Sequence, residues 1–138
     1  MKGNFSVAIM VMAPGGLILV MDPFKSKPLW KFPGGHGWAS ESPAEAAVRE
    51  LEEETGIALS PYELELFFGE KRKNNGQEGD HDFFLFYVFL SDLPQLKIRG
   101  NEGEKIGIFP FSFICGPNFL PDHRRAIMSS INMESPVS

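Results

Sequence analysis

Seventeen consecutive residues without a charge, FSVAIMVMAPGGLILVM, run from Phe5 to Met21 and are broken near their middle by Pro14, Gly15 and Gly16. The run reaches the short limit for a membrane-spanning helix, but the break lies where such a helix must be most continuous. Val, Ile and Leu dominate both halves, so the segment reads as two strands, SVAIMVMA and LILVMD, joined by a tight turn into a buried hairpin. A secretory leader is a poor reading as well, because the hydrophobicity resumes after the Pro-Gly-Gly where cleavage would be expected. No membrane partner is expected from this segment.

The remainder alternates in type. The stretch PFKSKPLWKFPGGHGWASE is rich in proline and glycine, and is expected to be irregular for most of its length. A helix follows over Pro43–Thr55, then strands in YELELFFGEKRK and DFFLFYVFL, separated by the polar tip NNGQEGDH, which reads as a mobile hairpin loop. After the short apolar run IGIFPF and the loop CGPNFLP, a last helix is expected from Asp122 to Met133, capped by Asp122. Residues 134–138 read as a frayed tail.

The chain of 138 residues suits one domain, 1–138, and its 43% hydrophobic and 22% charged content excludes wholesale disorder and a coiled coil. Thirteen phenylalanines imply a bulky core. A formal net charge of −5 gives no long-range attraction to a nucleic acid duplex or an anionic membrane, so a polyanionic ligand requires a metal or a local basic patch. Cys115 is the single cysteine, which forbids an internal disulfide and suits a reducing, cytoplasmic compartment; it is expected as a buried structural thiol.

Chemistry concentrates in ESPAEAAVRELEEETG. Ser42 and Glu45 make an S-x-x-E capping box, Pro43 takes the first helical position and Gly56 supplies the stop. At about 100° per residue, Glu50, Glu53 and Glu54 share one face with Ala46 and Ala47, Val48 and Leu51 take the core side, and Glu52 points to solvent. Like-charge pairs at i+3 and i+4 cost roughly 0.2–0.5 kcal/mol each. Acids in the last two turns oppose the helix dipole by roughly another 0.3–1 kcal/mol apiece. The arrangement is poor as structure and sensible as a site for a hard cation, although a solvated acidic face remains open on the helix alone.

Gly35, Glu41, Arg49, Glu50, Glu53, Glu54 and Gly56 stand at the spacing G-x5-E-x7-R-E-U-x-E-E-x-G-U, with Leu51 and Ile57 as the bulky apolar positions. This resembles the Nudix box with every fixed position filled, and the apolar hairpin ahead of WKFPGG extends the likeness over nearly the whole chain. The resemblance implies an α/β fold, an α/β/α sandwich with a mixed sheet between helices. It further implies hydrolysis of a nucleoside diphosphate linked to another moiety, with Mg2+ or Mn2+. Divalent ions are what that chemistry needs, because a pyrophosphate repels an attacking water until its oxygens are screened.

By the same match, Glu53 and Glu54 are expected as metal ligands, with Glu50 sharing that role or acting as base, and the Gly34 carbonyl as a further ligand. Glu41 is expected near the metals, and Arg49 as the holder of Glu53 or Glu52. Relatives often add a carboxylate from a later loop; here NEGEK offers Glu102 and Glu104, of which Glu102 is chosen as ligand and as the rival of Glu50 for general base.

Downstream of the box, the neighbourhood KRKNN lacks both the proline typical of relatives acting on ADP-ribose and the tyrosine typical of those acting on dinucleoside polyphosphates. A MutT-like nucleoside triphosphate pyrophosphohydrolase, cutting to monophosphate and pyrophosphate, is favoured over those substrates, over nucleotide sugars, and over a non-catalytic nucleotide-sensing module. In MutT-like relatives the start of the last helix helps to read the base, which points to Asp122 and His123. A nucleobase needs a flat apolar partner, for which Phe83, Phe119 and Trp30 are candidates. Lys71, Arg72 and Lys73 could meet outer phosphates, and His36 and His81 are weaker candidates. A small-molecule nucleotide is the expected partner, bound by a monomer or a homodimer.

Overall fold

The computed structural model describes the backbone of residues 1–73 and 80–134, with the side chains of 72, 73, 80 and 130–134 outside the description. Strand β1 (Lys2–Ala13) turns through Pro14 and Gly15 into β2 (Gly16–Met21), pairing Val11 with Ile18 and Met12 with Leu17. The expected hairpin is therefore present, with β1 reaching back to Lys2. Gly16 has φ +134°, and a Cβ there would stand 2.0 Å from the Phe109 carbonyl oxygen, so no larger residue fits this close approach.

The long β1 is the axis of a mixed sheet. Strand β4 (Glu65–Lys73) pairs with β5 (Asp80–Phe89), β5 runs parallel to β1, and β2 pairs with β6 (Lys105–Phe109), giving the order β4-β5-β1-β2-β6. Strand β3 (Gly34–Trp38) pairs antiparallel with the first half of β1. Most of PFKSKPLWKFPGGHGWASE is irregular, as expected, and β3 is the exception within it. Gly34 and Gly37 are what let it dock: a Cβ on Gly34 would lie 2.0 Å from the Val7 carbonyl oxygen, and one on Gly37 would lie 2.0 Å from the Phe5 ring.

Side chains alternate along β1, and the alternation builds two cores. Val7, Ile9 and Val11 face helix α1 (Pro43–Thr55), packing on Ala46, Ala47 and Leu51, while Ala8 and Met10 face helix α2 (Pro121–Glu134), packing with Ala126 and Ile127. The sheet is thus covered by a helix on each face, the expected α/β sandwich.

Further differences from the sequence reading have local causes. Tyr62 and Glu63 belong to a 3-10 turn, Pro61–Glu63, rather than to β4, because Ser60 and Glu63 form a second capping box. Asp122 lies inside the first turn of α2, bonded to Arg125, and is not the residue before the helix. Cys115 is exposed at the end of a 3-10 turn, Phe111–Cys115, so the thiol is not a buried core group. Glu134 still belongs to α2, and Asp80 and His81, expected in the hairpin tip, begin β5; residues 135–138 of the expected tail and 74–79 of the tip lie outside the described residues. No helix among the described residues is long and apolar enough to cross a membrane.

Candidate active site

Local signals place the carboxylates. The Ser42 hydroxyl accepts from the Glu45 N–H, the Glu45 carboxylate accepts from the Ser42 N–H, and Gly56 closes α1 in the left-handed conformation at φ 86°. Such a capping arrangement contributes about 1 kcal/mol and fixes where the helix begins. With Leu51 fully buried against the sheet, the rotation of α1 is set, and Glu50, Glu53 and Glu54 face a cavity of about 480 Å³. Glu52 is exposed, as its position on the helix predicts.

The electrostatic cost at the helix C-terminus is met from outside the helix. Its last turn contains no basic residue, but Lys97 donates through Nζ to the Glu53 carbonyl at 3.3 Å and through its backbone N–H to the Thr55 carbonyl at 2.9 Å. The Asn101 N–H also donates to the Glu53 carbonyl, at 2.9 Å. These contacts satisfy terminal carbonyls and bring the 97–104 loop to the acidic face.

Arg49 organises the acids. Its Nε and Nη2 clamp both oxygens of Glu41 at 2.7 and 3.0 Å, its Nη1 reaches Glu50 and Glu53 at 3.1 Å each, and Nη2 also donates to the His36 carbonyl. The guanidinium lies 5.5 Å from the centre of the Trp38 ring. Glu41 accepts in addition from the Trp38 N–H at 2.8 Å, so both of its oxygens are engaged. The hydrogen bond from Arg49 holds Glu41 below the usual carboxylate range, and the bond to Glu41 raises Arg49 above its ordinary value. Arg49 thus grips Glu41, Glu50 and Glu53, and not the solvent-facing Glu52.

Glu54 is placed differently. It is 6% exposed, and its Oε1 accepts from the Gly34 N–H at 2.7 Å, which ties α1 to β3 at the bottom of the cavity. Burial pushes its carboxyl up to about 8; Lys31 and the Gly34 N–H act against that rise, while Glu50 and Glu104 add to it. Burial also raises Glu50, with Arg49 opposing. Gly35 makes room for this pair, since a Cβ there would stand 2.8 Å from the Glu50 carboxyl.

In the later loop both candidate carboxylates border the cavity. Glu104 is buried and its Oε1 accepts from the Glu102 N–H at 2.9 Å, whereas Glu102 is exposed. The sequence reading chose Glu102; the loop turns Glu104 inward beside Glu54. Among the described residues no three His, Cys, Asp or Glu side chains are grouped closely enough to hold a metal ion between them, and the glutamates are instead engaged by Arg49, by the Gly34 N–H and by the Glu102 N–H. The donor chemistry nevertheless fits a hard divalent ion: the groups are oxygen ligands, and the buried Glu54 has Glu50 and Glu104 as neighbours.

The residues expected to read a base lie elsewhere. Phe83, Phe119 and His123 are buried with Phe32 in the core under α2, where His123 stacks at 5.5 Å on Phe32 and its Nδ1 accepts from the Phe32 N–H. Trp30 packs on Phe109, 4.6 Å between ring centres. Asp122 and Lys71 also lie away from the cavity, and the side chains of Arg72 and Lys73 are outside the described residues. Trp38 and His36 do line it, with His36 edge-on to His81 at 5.3 Å. Lys2, Lys25 and Lys31 also line it; Lys31 lies within WKFPGG, whose pattern does not single out its charge, and the other two belong to no motif.

Comparison with known proteins agrees with this geometry. The NUDIX domain family model matches residues 3–127. Phosphatase NudJ of Escherichia coli K12 is 36% identical over 95 residues, 69% of this chain and 58% of that protein, so the chain matches little more than half the length of this relative. Among solved structures, a MutT protein from work on Aliivibrio salmonicida and Vibrio cholerae superposes with TM-score 0.69 at 25% identity, covering 94% and 97% of the two chains. The NUDIX domain of Shewanella oneidensis NrtR, solved with ADP-ribose, gives 0.70 at 19% identity over 98% and 91%, a likeness of fold. With the family model spanning most of its length and a complete box running from β3 through α1, the chain belongs to the NUDIX family, whose hydrolases act on pyrophosphate bonds.

Proposed function

We propose that the chain hydrolyses a pyrophosphate bond in a nucleoside diphosphate linked to another moiety, and that its preferred substrate is a nucleoside triphosphate, cut to monophosphate and pyrophosphate. The observation that carries this reading is the buried, charge-crowded Glu54 facing a cavity shared with Glu50, Glu53 and Glu104. Such a group is expensive to keep as an anion unless a cation arrives. Glu50, Glu53 and Glu54 with the Gly34 carbonyl would hold Mg2+ or Mn2+, supplemented by Glu104 or Glu102 from the later loop. The bound ions supply charge neutralisation of the phosphoryl oxygens and a more acidic water.

The protein's own groups do the rest. Arg49 keeps Glu50 and Glu53 aimed into the cavity, and Glu41 keeps Arg49 in place, so both are positioning residues. A carboxylate on the cavity wall accepts the proton of the attacking water, and Glu50 and Glu102 are the candidates. A cavity of about 480 Å³ has room for a polyphosphate, and Trp38 and His36 in its lining offer rings for the pendant group. The MutT likeness at 25% identity supports the triphosphate, and the NrtR domain, a likeness of fold, is a NUDIX domain solved with ADP-ribose, the alternative substrate.

A panel of nucleoside and deoxynucleoside triphosphates, ADP-ribose, nucleotide sugars and dinucleoside polyphosphates, assayed with Mg2+ for wild type and Glu53→Gln, tests the reading. Turnover lost in the variant and greatest with triphosphates supports it; no turnover on any substrate, or equal turnover in both proteins, overturns it.

A further inference from the structure

The cavity lining mixes charges. Helix α1 contributes Glu50, Glu53 and Glu54 with Arg49, and the later loop adds Glu102 and Glu104; Lys2 from β1 and Lys25 and Lys31 from the β2–β3 connection, beside Asp22, bring further cations to it. With six carboxylates and four cations the lining remains net acidic, so a polyanion entering it depends on the cavity's cationic side chains as well as on divalent ions.

Lys31 is the member of the three with a fixed place. Its backbone is held by two hydrogen bonds with Val20 at 2.9 Å, and the neighbouring Phe32 is fully buried, so the direction in which the side chain leaves the fold is set. Its ammonium acts on both Glu54 and Glu50 through space, yet among the described residues it forms no ion pair within 4.0 Å. A half-buried ammonium beside a carboxylate cluster, but not bonded to it, is poorly explained as a structural salt bridge. It is well placed to meet an anion that lies between it and the glutamates.

We propose that Lys31 is a substrate-binding residue that contacts the non-bridging oxygens of the polyphosphate in the cavity it shares with the α1 carboxylates. The assignment rests on the pyrophosphate-hydrolase reading above. Lys is suited to this role, since a point charge on a flexible stem can follow phosphate oxygens as they move without a fixed bidentate geometry. Lys25 and Lys2, both exposed at the same cavity, offer their charges to further phosphates. A substrate with three or more phosphates uses these cations more fully than a diphosphate does.

The test compares wild type, Lys31→Met and Lys31→Arg. Binding of an α,β-methylene nucleoside triphosphate in Mg2+ is measured by calorimetry at several salt concentrations. Mn2+ binding without nucleotide is followed by electron paramagnetic resonance, and KM and kcat are taken on the best substrate of the panel. The expected result is nucleotide affinity at least about tenfold weaker in Lys31→Met, with a shallower salt dependence and partial rescue in Lys31→Arg. Mn2+ affinity should be unchanged or tighter in Lys31→Met, because a cation has been removed from the acidic cleft. Unchanged nucleotide affinity in Lys31→Met overturns the proposal, and so does a parallel loss of Mn2+ binding, which marks a structural role. A wild type that binds the analogue but turns over nothing overturns the hydrolase reading and leaves the Lys31 assignment to be judged on binding.

Discussion

Replacing Glu54 with Gln should stabilise the metal-free protein, and by an amount that grows with pH. Glutamine keeps an acceptor for the Gly34 N–H while removing the ionisable group. In the folded chain burial lifts the Glu54 carboxyl to about 8, whereas in the unfolded chain it titrates near 4.5. Because the folded value is the higher one, the stability associated with this group is complete below about pH 4.5 and is lost as pH rises toward 8. The limiting slope is about 1.4 kcal/mol per pH unit, so between pH 5.5 and 7.5 wild type should lose on the order of 2 kcal/mol relative to Glu54→Gln. For a domain of this size that corresponds to roughly 6–10 °C in Tm. Thermal melts of both proteins in EDTA at constant ionic strength, at the two pH values, measure the difference directly. A gap that does not widen with pH, or a Gln variant that is the less stable at pH 7.5, would refute the view of Glu54 as a buried carboxylate held against its desolvation. Saturating Mg2+ should close the gap, since a cation stabilises only the carboxylate.

Arg49→Lys should lower Mn2+ affinity at least about tenfold and stability by roughly 1–2 kcal/mol, because an ammonium cannot clamp Glu41 with two nitrogens while reaching Glu50 and Glu53; calorimetry and denaturant unfolding read the two effects. Gly34→Ala should cost more than about 3 kcal/mol, seen as a lowered denaturation midpoint, since the added Cβ meets backbone atoms of Val7 and Ala8. Lys97→Met should cost about 0.5–1 kcal/mol in the same assay through loss of the cation at the end of α1, with added salt reducing the loss.

Helix α1 and its acidic face are legible in the sequence because their determinants are local: Ser42, Pro43, Glu45 and Gly56 set the ends, and the helical repeat sets which acids share a face. The β1–β2 hairpin is legible for the same reason, through Pro14 and Gly15 between two β-branched runs. Strand β3 is not, because GGHGW, with three glycines in five residues, has low strand propensity and is a strand through its docking on β1. The 3-10 turn at Pro61–Glu63 carries a signal that a closer reading would find, since Ser60 and Glu63 repeat the S-x-x-E pattern that opens α1. Glu104 turns inward through backbone geometry in the 97–104 loop, which two glutamates at adjacent alternate positions cannot reveal. Lys97 and Trp38 are marked by no motif, and Lys31, though inside WKFPGG, gives no sign there of its part in the cavity, for each acts across the fold on residues distant in the chain.

The central claim is that the α1 glutamates form a divalent-cation site, and titration of Mn2+ into wild type, Glu53→Gln and Glu54→Gln under electron paramagnetic resonance tests it most directly. Saturable binding by wild type, strengthened by an α,β-methylene nucleoside triphosphate and lost or weakened at least about tenfold in both variants, is the predicted result. Wild type that binds no Mn2+, or variants that bind it as well as wild type does, would contradict the account.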